Sequence, residues 1–130
     1  MAQPIRSDAA RPTTQVVASR GYDRRAARRL TPEARIAAEA VIVARPDAWP
    51  IIPGTGGARK ARVRLPGRGK SGGARVIYFF SATPALVAFL DIYAKGAKED
   101  LTSTDKQDIR AAIAEIRAAL RKAGGKVRGV

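Results

Sequence analysis

The side chains with the clearest chemical potential in this sequence are basic residues gathered in its middle. Between Asp47 and Asp91 the chain contains no carboxylate. The same stretch contains seven cations, which are Arg59, Lys60, Arg62, Arg64, Arg68, Lys70 and Arg75. Like charges gathered this closely repel one another unless an anion binds them. The paired N–H groups of an arginine side chain match the oxygens of a phosphate. The anion that this pattern predicts is therefore a phosphate backbone.

A cationic site of this kind has one route to catalysis on RNA. Each phosphate in RNA lies beside a 2′-hydroxyl, which attacks it once the hydroxyl is held in line and loses its proton. Lysine among other cations can accept a proton, and arginine can stabilise the charge that develops on the phosphate. The sequence permits this reaction without demanding it.

The composition excludes several other kinds of site. The 130 residues include neither Cys nor His, which excludes zinc sites built on those residues and nucleophiles activated by His. Gly69-Lys70-Ser71 resembles the end of a P-loop, but Arg64 stands where that motif needs Gly. No apolar run approaches the roughly 20 residues of a membrane span, and the lack of Cys fits the cytoplasm, where we expect this protein.

The basic residues need strands to hold them on one face. Residues 58–65 alternate between apolar and basic, which predicts a half-buried strand with Lys60, Arg62 and Arg64 on its open face. Two further strands are predicted at residues 75–80 and 86–94, and the short link between them favours antiparallel pairing. Alternation places Tyr93 and Lys95 together on one face of the last strand.

Helices are predicted on both sides of these strands in the sequence. After a short β-branched strand at residues 14–18, a helix is predicted at residues 22–30. Thr31 and Pro32 form the start of a second helix, which ends near Arg45-Pro46. The predicted apolar face of this second helix carries Ile36, Ala40 and Val43.

A last helix is predicted at residues 102–120. Thr102 and Asp105 have the spacing of a capping box, and Gly124-Gly125 marks the expected end. The fold class is therefore α+β: a small antiparallel sheet of about four strands with two N-terminal helices and a C-terminal helix. We expect the domain to span residues 14–121, with a flexible extension at 1–13 and a basic flexible tail at 122–130.

Three blocks of sequence resemble a known family of toxins. They are IPGTGGARKAR at 52–62, GRGKSGGARVIY at 67–78 and YAKGAKEDLT at 93–102. In this order and spacing they resemble the HigB-type branch of the RelE/ParE superfamily of type II toxins, over roughly residues 14–121. The resemblance implies a RelE-like fold and ribosome-dependent mRNA cleavage in the A site, with contacts to ribosomal RNA and no metal or cofactor. It also implies a helix-turn-helix antitoxin as partner.

The same resemblance assigns the candidate site residues. The candidate catalytic residues match basic positions of RelE-type toxins, and they are Lys60, Arg62, Arg64, Arg75 and Lys95. The candidate RNA contacts are Arg59, Arg68, Lys70 and Tyr93. RelE itself has a Tyr after the last strand that stacks on a base, whereas Leu101-Thr102 stand there in this chain. Tyr93 is the candidate to replace that ring.

Two other functions stay open at this point. A toxin of the ParE kind has the same fold but poisons DNA gyrase and cleaves no RNA, so it has no need of the basic strand. A decayed toxin would bind RNA through its cations, with a steep dependence on salt, and cleave nothing.

Overall fold

The two helices that follow the first strand both begin at a side-chain cap. The computed structural model describes residues 13–64, 73–96 and 101–129, with side chains up to Ala123. Its elements are β1 (Gln15–Ala18), α1 (Arg20–Arg29), α2 (Pro32–Ala44), β2 (Ala58–Val63), β3 (Ala74–Ala82), β4 (Ala85–Ala94) and α3 (Ser103–Gly129). The Ser19 hydroxyl accepts a hydrogen bond from Tyr22 N at the start of α1, and Thr31 accepts one from Ala34 N at the start of α2. The predicted start of the second helix is confirmed.

The four strands form one sheet with the order β1-β4-β3-β2. The pairs β2–β3 and β3–β4 are antiparallel, as predicted. However, β1 runs parallel to β4, so the sheet is mixed rather than wholly antiparallel. No short turn links β1 to its partner, because the two helices and two strands lie between them in the sequence. A parallel pair needs such a long connection.

Strand β2 forms one edge of the sheet. The loop before it covers the first half of its outer side, where Ile52 N donates to Ala58 O at 2.8 Å and Lys60 N donates to Pro50 O at 3.3 Å. Within the described ranges, no strand pairs with the outer side of β2. The second half of this edge, with Arg62, therefore offers free backbone groups to solvent.

The sheet has an apolar layer on each face. On one face, α1 and α2 cover the Tyr22 and Phe89 rings, which stack with centroids 5.3 Å apart. On the other face, α3 covers Ile77 and Phe79 with Ile113. We call this second side the α3 face. The α+β arrangement with two N-terminal helices and one C-terminal helix is confirmed.

Helix α2 buries a different side from the one predicted. Ala38 and Ile42 point into the core, whereas Ile36 is 70% exposed and Ala40 is also exposed. Of the predicted face only Val43 packs against the core. The prediction was wrong for Ile36 and Ala40 because α2 is apolar on more than one side, so periodicity alone left the choice open. Packing decides it, since Ala38 and Ile42 join the core cluster that contains Tyr22 and Phe89. The ion pair between Arg35 of α2 and Asp23 of α1 is consistent with that orientation.

The ends of the chain depart from the sequence prediction in one respect. The predicted capping box is confirmed, because Thr102 N donates to Asp105 and Asp105 N donates to the Thr102 hydroxyl. The helix does not stop at Gly124-Gly125 but continues to Gly129, so that prediction was wrong. Glycine in a helix costs about 1 kcal/mol but does not forbid helical angles. The predicted extension at residues 1–13 lies outside the described residues except for Thr13, and the domain limits stay a prediction.

None of the described helices is both long and apolar enough to cross a membrane.

The Tyr22 hydroxyl gives a test of how α1 and α2 are joined. It donates to Glu39 at 2.9 Å, and burial together with this bond raises its pKa above the ordinary value. A raised pKa in the folded state means that its contribution to stability is full below about pH 10 and is lost as the pH rises further. We expect Tyr22→Phe to lower the free energy of unfolding at pH 7 by about 1.5–3 kcal/mol. Urea unfolding at neutral pH measures this loss.

The same measurement repeated above pH 10 tests the titration. The stability of the unchanged protein should fall with pH more steeply than that of Tyr22→Phe. Above pH 10 only the unchanged protein releases the Tyr22 proton when it unfolds. Parallel pH profiles would show that the Tyr22–Glu39 bond does not join the two helices in solution.

Candidate active site

Strand β2 places its basic residues on the α3 face by simple alternation. Ala61 and Val63 are buried against the α1–α2 side of the sheet. Lys60 and Arg62 therefore point to the opposite side, where Lys60 is half-buried and Arg62 is exposed. Arg64 follows β2 directly, continues the alternation and is exposed. This part of the predicted strand is confirmed.

The register between strands brings a second arginine to the same place. Arg62 is paired directly with Arg75 of β3, and Arg75 is paired with Tyr93 of β4. Side chains directly opposite one another in an antiparallel pair have Cβ atoms about 4.5–5.5 Å apart. Two arginine side chains from residues 13 positions apart thus start from neighbouring positions on the α3 face.

The next row of the sheet adds two more cations. Lys95 N donates to Gly73 O at 3.0 Å, which places Lys95 opposite Gly73. The pairing of Val63 with Ala74 puts Arg64 on the other side of the same glycine. Gly73 has no side chain, and a Cβ built there would lie 3.7 Å from Nη1 of Arg75. The Arg75 side chain therefore leans over Gly73, between Arg64 and Lys95.

We call these five residues the basic face: Lys60, Arg62, Arg64, Arg75 and Lys95. Within the part of the chain that the structure describes, none of them has a carboxylate within salt-bridge distance. The acid nearest in the register is Asp91, which pairs with Ile77 opposite Lys60. Its carboxylate forms an ion pair with Arg25 instead, with Oδ1 2.6 Å from Nε. The basic face is left with uncompensated positive charge, which suits an anionic ligand.

The four residues predicted to contact RNA are not gathered in the same way. Arg59 lies on the other face of β2, where its Nη1 donates to Trp49 O at 2.6 Å and holds the preceding loop. Tyr93 shares the α3 face but is only 4% exposed, so most of its ring packs in the apolar layer. Arg68 and Lys70 lie outside the described residues.

The IPGTGG block serves to position β2. Thr55 is fully buried, and its hydroxyl donates to Ile52 O and accepts from Ala58 N. Helix α3 holds the same loop from outside, because Arg110 donates to Gly54 O at 2.6 Å and Arg117 donates to Gly56 O at 2.9 Å. A closed loop at this point fixes where the basic strand begins.

Sequence reasoning missed Arg110 and Arg117. Both lie on α3, and nothing in their spacing points to a loop more than fifty residues earlier. The Arg117 guanidinium also lies 4.8 Å from the centre of the Phe79 ring. These arginines support the site without belonging to the basic face.

A cleft of about 470 Å³ adjoins the basic face at Tyr93. It lies between α1, the end of β4 and the first turns of α3, and its lining includes Arg25, Asp91 and Asp108. The ion pair between Arg25 and Asp91 neutralises charge at its wall. The cleft therefore differs in chemistry from the basic face, which is more open and of one sign.

A family comparison agrees with the geometry. The family model of the RelE toxin of the RelE/RelB toxin–antitoxin system matches residues 52–124. The chain belongs to the RelE toxin family. The match begins at the loop before β2 and extends into α3, so the whole basic face lies inside it. RelE toxins are generally endoribonucleases that pair with antitoxins and act on ribosomes. The predicted superfamily is confirmed, and the HigB-type branch stays a prediction.

The pairing of Arg62 with Arg75 predicts a gain in stability when one charge is removed. Like charges directly opposite each other in a sheet are destabilising by some tenths of a kcal/mol. We expect Arg75→Gln to raise the free energy of unfolding by about 0.2–1 kcal/mol at low salt. The gain should shrink in 1 M NaCl, because salt screens the repulsion.

Urea unfolding at the two salt concentrations measures this effect. Arg121→Gln is the matched control, since Arg121 is exposed on α3 and outside the basic face. If Arg75→Gln were less stable than the parent at low salt, Arg75 would have a stabilising partner in solution, and the basic face would not be uncompensated.

Proposed function

We propose that this chain is a toxin that cleaves mRNA bound to the ribosome, acting as an endoribonuclease that uses the 2′-hydroxyl of its substrate. The observation that supports this most directly is the pairing of Arg62 with Arg75, in a group of five cations with no carboxylate partner within the described ranges. The family match supports the same class of activity. The proposal needs no metal, since RNA supplies its own nucleophile.

In the proposed reaction, the 2′-oxygen attacks the adjacent phosphorus and the bond to the 5′-oxygen breaks. The products are a 2′,3′-cyclic phosphate and a free 5′-hydroxyl. Arg62 and Arg75 stabilise the negative charge on the non-bridging oxygens, because paired guanidinium groups bind them with several N–H donors. Arg64 adds to this field from the next row.

Proton transfer is the task of the lysines in this scheme. Arginine keeps its proton in proteins, whereas lysine among other cations can lose its own. Lys60 and Lys95 lie on the same face at opposite sides of Arg75 in the sheet. One of them takes the proton from the 2′-hydroxyl, and the other supplies one to the departing 5′-oxygen.

We also infer the finer features that the sequence resemblance implies. The three motif blocks favour the HigB-type branch, cleavage in the ribosomal A site and a cytoplasmic location. They also favour a helix-turn-helix antitoxin as the neutralising partner. Arg68 and Lys70, which lie between β2 and β3 in the sequence, are assigned to contacts with RNA.

The activity is tested by inducible expression in a bacterial host, with primer extension on a reporter mRNA. We expect growth arrest and in-frame cuts that disappear when translation is blocked. Arrest without cuts, together with loss of supercoiling by purified gyrase, would instead identify a ParE-like toxin. Soluble expression with neither arrest nor cuts would identify a decayed protein that at most binds RNA.

The basic face predicts the result of single substitutions. We expect Arg64→Ala and Arg75→Ala to lower the rate of cleavage by about 10²–10³, which corresponds to roughly 2.7–4 kcal/mol, by analogy with the removal of one donor from an oxyanion hole. Ribosome-dependent cleavage of a programmed mRNA by purified protein measures the rate. Circular dichroism and thermal unfolding establish that each variant is folded.

Arg121→Ala is the matched control for these variants, because it removes the same charge from an exposed position of α3. Its rate should stay near that of the parent. Equal losses in Arg121→Ala and Arg75→Ala would mean that only net charge matters, and would remove Arg75 from the site.

A further inference from the structure

Helix α2 has an exposed apolar side in addition to its buried one. Ile36 is 70% exposed and Val41 is 53% exposed, and both point away from the core that Ala38 and Ile42 enter. The exposed residues on this side include three alanines, so the whole stripe consists of Ile36, Ala37, Ala40, Val41 and Ala44. We call it the α2 stripe.

The α2 stripe has the spacing of a helix-packing surface. Its residues recur at intervals of one, three and four, which forms a continuous band over about three turns. The only charged residue on this side of the helix is Glu33, in the first turn. Small alanines between larger Ile and Val side chains allow the close approach of a second helix, with ridges fitting into grooves.

Positive charge lies beside the α2 stripe. Helix α1 is fastened alongside α2, because Arg35 bonds to Asp23 and the Tyr22 hydroxyl bonds to Glu39. The outer side of α1 carries three exposed arginines: Arg20, Arg24 and Arg28. None of these has a carboxylate partner within the described residues. An apolar band next to uncompensated arginines is complementary to a helix that is apolar on one side and acidic along its flank.

We infer that the α2 stripe and the outer arginines of α1 bind an acidic amphipathic helix of a partner protein. RNA phosphates would use the arginines but gain nothing from Ile36 and Val41. A second copy would bring its own net charge of +14 against the first, which opposes association. A protein partner also agrees with the family, whose members act in toxin–antitoxin pairs.

This surface is separate from the basic face. Helices α1 and α2 cover one side of the sheet, whereas the basic face lies on the side that α3 covers. The inference therefore does not depend on RNA cleavage. Binding of the partner helix can be measured on the purified protein with no ribosome present, so its failure and the failure of the proposed activity are distinguishable.

A designed peptide is the probe for this surface. The peptide has three heptads, roughly 21 residues, with Leu at positions a and d and Glu at positions e and g, where Glu–Glu repulsion opposes self-pairing. Isothermal titration calorimetry at about 0.15 M salt, where surface charges are screened beyond roughly 8 Å, measures its dissociation constant. We expect one peptide per chain, and no binding of the version with Lys at e and g.

Substitutions locate the binding site. The double variant Ile36→Gln and Val41→Gln changes no charge, and we expect it to weaken binding at least about tenfold, because two aliphatic side chains lose their burial. Ile51→Gln is the matched control, since Ile51 is 54% exposed but lies in the loop before β2. Arg24→Gln with Arg28→Gln should weaken binding more than Arg121→Gln with Lys122→Gln.

Three results would overturn the inference. Equal binding of an acidic peptide with Gln at a and d would show that charge alone attracts it. A dimer in sedimentation velocity that Ile36→Gln and Val41→Gln dissociates would make a second copy the occupant. Flotation with vesicles of anionic lipid that depends on Ile36 and Val41, in a protein that binds no peptide, would make a membrane surface the occupant. Because Ile36 and Val41 are exposed, the double variant Ile36→Gln and Val41→Gln should fold with unchanged thermal unfolding.

Discussion

The register between β2 and β3 is the constraint on which the rest of the site depends. A slip of one residue in either strand would turn every side chain to the other face of the sheet. Ala61 and Val63 prevent that slip, because burial on the α1–α2 side leaves the basic residues only the other side. The loop held by Thr55 and by two arginines of α3 then fixes the point at which β2 enters the sheet. Burial of the apolar side chains thus holds the basic side chains together on one face, although their charges repel one another.

Much of this arrangement could be predicted from the residues. Alternation along β2 identified the face of Lys60, Arg62 and Arg64, since a strand half-buried by small apolar residues has only one open side. The caps at Thr31 and Thr102 were equally clear, because a cap is a local interaction. The likeness to RelE toxins rested on blocks that surround the basic strand, which is the part that the family model matches.

The remainder depends on contacts between residues far apart in the sequence. The parallel pairing of β1 with β4 and the choice of buried side on α2 are decided by packing, and a helix with apolar residues on two sides does not reveal which of them the core takes. The burial of Tyr93 follows from the apolar layer under α3, and the hydrogen bond from Arg59 to Trp49 O follows from the path of the loop before β2. The sequence around Arg110 and Arg117 gives no sign that these two arginines of α3 hold the loop before β2.

The basic residues of β2 have a second effect, because they lie at the outer edge of the sheet. An uncovered edge strand invites pairing with strands of other molecules, and charged side chains are one of the means by which proteins prevent this. Arg62 and Arg64 are exposed where, among the described residues, the loop no longer covers the edge, so their charges oppose such pairing in addition to lying on the basic face. A chain without these arginines would therefore have an unprotected strand edge as well as a weaker basic face.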